Sequence, residues 1–225
     1  VKIYGYGGNL QNEALLASEL QATDDLQEVP QCIVGGKHYF YAEGPVSWKS
    51  ETALQRIRNP YSDYGYYFIT QTDGEPLVQD SATFVSSHYP QPYDYHSLYE
   101  SDGFSYYHGG RNLFDAEELK VGDEKKVVIT NTTGSAAGKL SVALTTTTNS
   151  VAQILKNGKA LGKITLSLKD DNPTEDIAYL KATEKVATYP ISDFQDKDTI
   201  SIEVLSGASI RLDYISVTWA EPGSC

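Results

Sequence analysis

Hydrophobic and polar residues alternate at a period of two over much of this chain, which is the spacing of β-strands with one buried face. The clearest case is 209–219, SIRLDYISVTW, where a sheet face can be filled by Leu212, Tyr214 (or Ile215), Val217 and Trp219. The polar residues between them then face outward or lie at an edge. A turn-forming segment follows at 221–224. This stretch is therefore predicted to be the closing strand of a β-sandwich.

The second half of the chain carries further stretches of this kind, separated by turns at regular intervals. Such a series of short strands predicts a β-sandwich of the jelly-roll type. Asn157-Gly158 is the strongest hairpin signal, because both residues adopt the positive φ angles that a two-residue turn needs. The additional strands are predicted at 125–131, 138–146, 151–155, 161–168, 178–185 and 199–205.

The first half of the chain is richer in aromatic residues. Leu15, Leu16 and Leu20 have helical spacing, so a short helix is predicted over 12–20. The segment 89–95 holds two prolines and is predicted to be an extended connection. Strands are predicted at 1–8, 26–34, 38–42, 64–70 and 83–87.

The chain is therefore predicted to be mainly β, with two domains. A small β-rich N-terminal domain is expected over residues 1–90, followed by a jelly-roll-like β-sandwich over residues 96–220. The 225 residues of the chain are enough for two ordinary domains. The chain contains no Met and begins at Val1 within a predicted strand, which favours a fragment of a longer parent protein.

The negative net charge of the chain argues against nucleic acids and anionic membranes as partners. The net charge is −12 and the pI is about 4.7, so the chain lacks the basic face that phosphate binding needs. Nucleic acid is therefore not expected as a partner, and anionic membrane surfaces are disfavoured. No apolar run approaches the ~20 residues of a membrane-spanning helix, so no membrane span is predicted.

Tyrosine is unusually frequent, with 17 Tyr against 6 Phe. Tyrosine suits strands that are wet on one face, and it also suits surfaces that bind ligands. Tyr39, Tyr41, Tyr66 and Trp48 are candidates for an aromatic ligand platform. Alternation of the tyrosines with Phe suits a hydrophobic core equally well, so both interpretations stay open.

Residue types that could carry catalysis are sparse. Cys32 could pair with His38 or another histidine as nucleophile and base, but its apolar neighbours favour a buried structural thiol. A disulfide between Cys32 and Cys225 is an alternative. The glycines at 5, 7 and 8 do not complete a phosphate-binding pattern, and the histidines lack the spacing of a zinc site. No catalytic residue and no metal ligand is therefore predicted.

Acidic turns occur at 24–25, 170–172 and 175–176. Carboxylate oxygens in such loops are the ligands that Ca²⁺ takes. No complete calcium-loop sequence is present, so solvated turns are favoured over a structural Ca²⁺ site. No cofactor is predicted.

One segment, 108–118, combines two glycines, one arginine and three acidic residues. An arginine guanidinium can form a bidentate pair with a carboxylate. We predict that Arg111, Asp115 and Glu117 form a structural clamp, and a ligand contact is the alternative.

Seven short segments together carry a resemblance to a known family. They are VKIYGYGG at 1–8, DDLQEV at 24–29, FYAEGP at 40–45 with Trp48, YS at 61–62, YYFIT at 66–70, GRNLFD at 110–115 and LDYI at 212–215. In this order they resemble the N-terminal region of gingipain-type cysteine peptidases, and most closely the PorU-like sortases of the type IX secretion system. The resemblance covers most of residues 1–115 and the last strand.

The resemblance implies a non-catalytic role for this chain. In that family these domains precede the peptidase domain, which holds the catalytic Cys and His, and Cys32 does not correspond to the family nucleophile. The implied setting is a secreted protein at the bacterial cell surface or in the periplasm. The implied partners are the peptidase domain of the same parent chain and secreted cargo proteins.

Two functions follow as expectations. The first is an accessory region that packs against the peptidase domain or positions cargo, and it should expose a large apolar patch when that domain is removed. The alternative is a carbohydrate-binding β-sandwich module of a bacterial surface protein, with a glycan as its partner.

Overall fold

The chain folds into two units, Val1–Tyr89 and Pro90–Cys225. The structure is a computed structural model that describes residues 1–8, 15–48, 56–79, 95–106, 112–168 and 182–220, and the side chains of Trp48 and Arg56 lie outside this description. Within these ranges, strands are accompanied by one short α-helix. The predicted mainly β fold is confirmed.

The described part of the N-terminal unit consists of small antiparallel sheets and a helix. Its elements are β1 (Lys2–Gly7), α1 (Ala17–Thr23), β2 (Gln31–Val34), β3 (Lys37–Phe40), β4 (Val46–Trp48), β5 (Arg56–Arg58) and β6 (Tyr66–Thr70). Strand β1 pairs with β6, β2 with β3 and β4 with β5. The pair β4–β5 was not predicted, and the strand predicted at 83–87 lies outside the described residues.

The helix begins later than the leucine spacing predicts. It spans Ala17–Thr23 rather than 12–20, and residues 12–14 lie outside the described ranges. The Glu19 carboxylate accepts a hydrogen bond from the N–H of Leu16 at 2.7 Å, which satisfies a backbone donor at the helix start. None of the residues of α1 is buried, so the leucine spacing does not mark a core-facing stripe.

The β2–β3 hairpin closes through a pair of glycines. Gly35 and Gly36 have φ angles of 58° and 75°, as a two-residue mirror-type turn requires. Strand β2 begins at Gln31 rather than at the predicted residue 26, because Pro30 has no N–H to donate to a ladder.

The C-terminal unit is a sandwich of two antiparallel sheets. Its strands are β7 (Tyr95–Glu100), β8 (Leu119–Lys120), β9 (Glu124–Thr130), β10 (Gly138–Thr146), β11 (Ser150–Lys156), β12 (Lys159–Leu166), β13 (Thr183–Ile191), β14 (Lys197–Ser206) and β15 (Ser209–Trp219). One sheet has the order β13-β10-β15-β7, with β8 also on β15, and the other has the order β12-β11-β14-β9.

This strand order is that of a jelly roll. When β7 and β9 to β15 are numbered one to eight, the two sheets read 1-8-3-6 and 2-7-4-5, the order that two nested Greek keys produce. The first and last strands of the sandwich are therefore neighbours. Tyr95 lies opposite Trp219 in their ladder, and the two rings stack with centroids 6.1 Å apart.

The core of the sandwich comes from the inward residues of both sheets, as the period-two alternation predicts. Trp219 closes one end of this core, where its Nε1–H donates to Thr133 Oγ1 at 2.7 Å and its ring meets Phe194 edge-on. The fully buried leucine and isoleucine side chains of the unit include Leu119, Ile129, Leu140, Leu144, Ile154, Ile164, Leu166, Ile200, Ile202, Ile210, Leu212 and Ile215.

Most predicted strands of the sandwich are present, whereas the short strand β8 was not predicted. The Asn157-Gly158 hairpin is confirmed, and the two residues have φ angles of 50° and 78°. Strand β13 extends to Ile191 instead of ending at 185, because an edge strand tolerates Pro190. Strand β7 was not predicted, since most of its residues are half-buried and give no sharp alternation.

Candidate functional site

The N-terminal unit presents an apolar surface along β6. Tyr66 and Phe68 project from one face of the strand and are 63% and 59% exposed, while Ile69 projects from the other face and is 68% exposed. The ring of Tyr64 lies 6.4 Å from that of Tyr66, with the ring planes 57° apart. We call Tyr64, Tyr66, Phe68 and Ile69 the β6 surface.

Tyr67, the one half-buried residue of β6, packs against β1 and against residues 40–43. The ring of Tyr67 meets Phe40 edge-on at 5.3 Å, and its hydroxyl accepts a hydrogen bond from the N–H of Glu43 at 2.7 Å. Gly5 of β1 lies directly against this ring, since a Cβ at Gly5 would come within 2.9 Å of Tyr67 Cδ1. The Tyr67 position of β6 is therefore packed, whereas Ile69 on the same face and Tyr66 and Phe68 on the other face are exposed.

The described part of the N-terminal unit has very little core of its own. Ile3 is its one fully buried hydrophobic side chain, whereas the C-terminal unit buries more than twenty. Large contiguous apolar surfaces on a soluble protein usually mark interaction sites. The exposed large hydrophobic residues of this unit, besides the β6 surface, are Val1, Leu16, Leu20, Leu26, Ile33, Val34, Tyr39, Tyr41, Tyr61, Leu77 and Val78.

The residues proposed as an aromatic platform lie on separate elements of this unit. Tyr39 is on β3 and Tyr41 follows that strand, whereas Tyr66 is on β6, and all three are exposed. Trp48 ends β4, and its side chain lies outside the described residues. Their role as a platform stays a prediction.

A second cluster, in the C-terminal unit, is centred on Asp115. The Asp115 Oδ2 atom accepts hydrogen bonds from Lys125 Nζ at 2.5 Å and from the Tyr99 hydroxyl at 3.0 Å. Its Oδ1 atom accepts the backbone N–H of Glu117 at 2.9 Å, and Lys125 Nζ also donates to Glu117 Oε2 at 2.7 Å. We call Asp115, Glu117, Lys125 and Tyr99 the Asp115 cluster.

This cluster joins the edges of the two sheets. Tyr99 belongs to β7, the edge strand of one sheet, and Lys125 belongs to β9, the edge strand of the other. The N–H of Asp115 donates to the carbonyl of Leu212 in β15 at 2.8 Å. The carboxylate therefore ties a connecting segment to both layers of the sandwich.

Arg211 supports the same segment from β15. Its Nη1 donates to the carbonyl of Ala116 at 2.6 Å, and its guanidinium lies 3.7 Å from the ring centroid of Phe104. Phe104 and Phe114 face each other in an antiparallel bridge, and both rings contact Tyr106. The Arg211 side chain is thereby fixed between backbone carbonyls and an aromatic face.

The hydrogen bonds of the Asp115 cluster shift the protonation of its members. Burial alone would raise the pKa of Asp115, but hydrogen bonds from Lys125, the Glu117 N–H and Tyr99 outweigh it and hold that pKa below its usual value. Burial would lower the pKa of Lys125, but Asp115, Glu117 and Tyr99 raise it above its usual value. The pair is therefore ionised at neutral pH, as a structural ion pair requires.

Two members of the predicted clamp, Asp115 and Glu117, lie in one cluster, while Arg111 lies outside the described residues. The clamp as predicted, with Arg111, therefore stays a prediction. The cation at Asp115 is Lys125, which the sequence reading missed. Its signal was present, because Lys125 shares the inward parity of Val127 and Ile129 in β9.

The hairpin geometry separates Cys32 from His38. In β2–β3, Cys32 lies opposite Tyr39 and Ile33 lies opposite His38, so the two side chains project from opposite faces. His38 Nδ1 is 2.6 Å from Gln31 Oε1. Cys32 is a free cysteine and is half-buried, rather than fully buried as predicted. Cys225 lies outside the described residues.

Of the three acidic turns, the structure describes the one at Asp24 and Asp25. Asp24 caps the end of α1, and the Asp25 carboxylate accepts the N–H of Leu26 at 2.8 Å. The turns at 170–172 and 175–176 lie outside the described residues. Within the described ranges, no three His, Cys, Asp or Glu side chains converge as a metal site would need. In the same ranges no helix is long and apolar enough to span a bilayer.

Comparison with known proteins gives a match in structure without one in sequence family. No family model and no curated protein sequence matches the chain. The structure of dimeric latent PorU from Porphyromonas gingivalis matches with a TM-score of 0.71 and 23% identity, over 98% of this chain and 21% of that chain. This chain thus has the fold of a region of PorU and spans about a fifth of its length.

Carbohydrate-binding modules give weaker matches. A family 35 module from an environmental isolate matches with a TM-score of 0.37 and 13% identity, over 60% of this chain and 93% of that chain. The CBM36-1 domain of a xylanase from the hindgut metagenome of Trinervitermes trinervoides matches with a TM-score of 0.34 and 13% identity, over 58% and 99%.

Proposed function

We propose that this chain is the non-catalytic accessory region of a secreted gingipain-like cysteine peptidase, of the kind that acts as a sortase in type IX secretion. The observation that carries the proposal is the likeness to PorU, which extends over 98% of this chain but only 21% of that one. An accessory region of a larger enzyme would have this relation to it. The seven sequence segments that resemble the same family support the proposal independently.

The accessory role is to pack against the peptidase domain of the parent chain or to position its cargo. The β6 surface supports this role, as does the small number of buried hydrophobic side chains among the described residues of the N-terminal unit. Burial of the exposed tyrosine, phenylalanine and isoleucine side chains of β6 against a second domain would remove them from water and stabilise the unit.

A non-catalytic role also fits the arrangement of reactive side chains. Cys32 and His38 project from opposite faces of their hairpin, so this pair cannot act as nucleophile and base. The ionised members of the Asp115 cluster bond to one another and to backbone groups. A secreted location, at the bacterial cell surface or in the periplasm, follows from the same proposal.

The β6 surface suits a protein partner better than a glycan. Sugar rings stack on flat aromatic faces, whereas the rings of Tyr64 and Tyr66 are tilted by 57°. The exposed side chains of β6 also include an aliphatic one, Ile69. A carbohydrate-binding module is therefore the second choice. It would be favoured if soluble glycans bound this chain and displaced the peptidase domain in the affinity measurement described below.

The first test is to read the parent open reading frame beyond residue 225. A Cys/His peptidase domain there supports the proposal, whereas a stop codon or another sandwich overturns it. The second test is to express that domain separately and to measure its affinity for this chain by calorimetry. We expect binding that weakens at least tenfold in a Tyr66→Ser/Phe68→Ser double variant. Val128→Ser, at an exposed position of β9, is the matched control and should leave the affinity unchanged.

A further inference from the structure

The backbone of β6 has one edge paired and one edge facing away from its sheet. In β1, the carbonyl of Ile3 accepts the N–H of Val29 and the N–H of Gly5 donates to the carbonyl of Gln27. The N–H and C=O groups of a strand residue point to the same side. The backbone groups of Ile3 and Gly5 therefore point away from β6, and those of Lys2 and Tyr4 point toward it.

The register then fixes the direction of every group in β6. Lys2 lies opposite Thr70 and Tyr4 lies opposite Phe68, so Phe68 and Thr70 form the hydrogen-bonded pairs with β1. The N–H and C=O groups of Tyr67 and Ile69 must then point outward. Within the described ranges, no strand other than β1 pairs with β6.

Among the described residues, the side chains of this outward edge give it no charge or proline that would discourage strand pairing. Natural edge strands are blunted by lysine, proline or inward-pointing charges, and Tyr66–Thr70 contains none of these. Exposed apolar side chains project from both faces, with Tyr66 and Phe68 on one and Ile69 on the other. A neighbouring strand would stabilise β6, because it would supply hydrogen-bond partners for the outward backbone groups and apolar side chains that cover the exposed ones.

We propose that the outward edge of β6 receives an extended strand of the parent's peptidase domain, which adds to the β1–β6 sheet. The inference rests on the proposed function and specifies how the two parts meet. Outward N–H and C=O groups at strand spacing recognise an extended polypeptide, and neither a sugar nor a lipid tail reproduces that pattern. Asp73 and Glu75 follow β6 and are exposed, whereas Asp63, which precedes β6, is already paired with Arg58 at 2.6 Å. A basic residue at the end of the incoming strand that lies next to Asp73 and Glu75 would complement these two acids.

The test compares amide hydrogen exchange in this chain alone and in complex with the separately expressed peptidase domain. The N–H groups of Phe68 and Thr70 should be protected in both states, because they bond to β1. Those of Tyr67 and Ile69 should exchange fast in the free chain and become protected in the complex. New protection at Tyr67 and Ile69 is the signature of strand addition, since packing of side chains alone would give these two N–H groups no hydrogen-bond acceptor.

Two variants at one position separate the backbone from the side chain. Ile69→Pro removes the outward N–H and keeps an apolar side chain, and proline is tolerated where an edge N–H faces solvent. Ile69→Thr keeps the N–H and shortens the apolar side chain. We expect Ile69→Pro to weaken the complex at least tenfold and Ile69→Thr to weaken it less. Protection of the Phe68 amide in each free variant checks that the β1–β6 pair is still formed.

The outcomes distinguish this inference from the proposed function. A complex in which Tyr67 and Ile69 gain no protection, or in which Ile69→Pro binds like the unmodified chain, overturns strand addition and leaves the accessory role standing. The absence of any complex overturns the accessory role and strand addition together. Alternating protection together with the loss of affinity in Ile69→Pro supports both.

Discussion

Lys125 Nζ lies 2.5 Å from Asp115 Oδ2, and this contact joins the two layers of the sandwich at their open edge. Both side chains are largely withdrawn from solvent, with 10% and 7% of their surface exposed. Tyr99 and the N–H of Glu117 supply the other hydrogen bonds to the carboxylate. The charge of Asp115 is therefore balanced only as long as Lys125 is present.

Removal of either partner should destabilise the sandwich. Asp115→Ala leaves the Lys125 ammonium with Glu117, which is more exposed, as its counter-charge. Loss of the buried, hydrogen-bonded carboxylate should cost about 1–3 kcal/mol. Urea unfolding measures the change. Lys126→Ala, at an exposed ion pair one residue away, should change the midpoint little. A double Asp115→Leu/Lys125→Met variant should recover part of the loss, and equal effects of Asp115→Ala and Lys126→Ala would contradict the assignment.

The same pair predicts a loss of stability in acid. The pKa of Asp115 is lower in the folded chain than the ordinary value near 3.8. A depressed carboxyl pKa contributes stability that is present above the unfolded pKa and lost as the pH falls through the folded one. The free energy of unfolding should therefore fall below about pH 4. In Asp115→Asn this part of the dependence should flatten, and an unchanged acid limb would contradict the prediction.

Gly162 should not accept a larger residue. A Cβ at this position of β12 would lie 2.8 Å from Cε1 of Tyr189, which belongs to β13 of the other sheet. Gly162→Ala should therefore lower the free energy of unfolding by about 1–3 kcal/mol through overpacking. In a Tyr189→Ala background the same substitution should cost much less. Thermal or urea unfolding of the four proteins gives the coupling between the two positions.

Asn157 is predicted to stabilise its hairpin in two ways. It has a φ of 50°, its Nδ2 donates to Asp198 Oδ1 at 2.6 Å and its Oδ1 accepts the N–H of Thr199 at 2.8 Å. Asn157→Ala loses both bonds and strains the backbone, at a cost of about 2–3 kcal/mol. Asn157→Gly relieves the strain alone and should fall between Asn157→Ala and the unmodified chain. The order of the three unfolding midpoints checks this.

Replacement of either of two buried serines by alanine should not lower the stability of the sandwich. Ser141 and Ser216 lie opposite each other in the β10–β15 ladder and are fully buried. Within the described part of the chain, neither hydroxyl has a hydrogen-bond partner. Burial of an unpaired hydroxyl costs free energy, so Ser216→Ala should leave the unfolding midpoint unchanged or raise it. A clear decrease would show that the hydroxyl does have a partner.

The sandwich was easier to predict than the N-terminal unit because its alternation reports burial directly. In β15, Leu212, Val217 and Trp219 are buried as the pattern predicts. Polar residues on the opposite face, such as Ser216 and Thr218, are buried as well. Alternation identifies the face that meets the core, but it does not report whether the other face is also covered.

In the N-terminal unit, alternation of hydrophobic and polar residues does not predict which strand face is buried. Tyr66 and Phe68 on one face of β6 and Ile69 on the other are all exposed, so the hydrophobic pattern of this strand does not distinguish a buried face from an exposed one. The Asp115 cluster shows a different limit, since Lys125 and Asp115 meet only through the pairing of strands that are distant in sequence. Inward parity could have marked Lys125 as a buried cation, but its partner depends on the jelly-roll order.

The neighbouring position of Tyr95 and Trp219 has a mechanical consequence. A force that separates the two ends of the sandwich acts at one point, where β7 and β15 begin to part, and breaks their ladder one pair at a time. Strands loaded in this peeling direction resist far less than strands that are sheared along their length. The stacked rings of Tyr95 and Trp219 form the first side-chain contact that such a force would break. Their interaction therefore sets the resistance of the sandwich to the start of unfolding under tension.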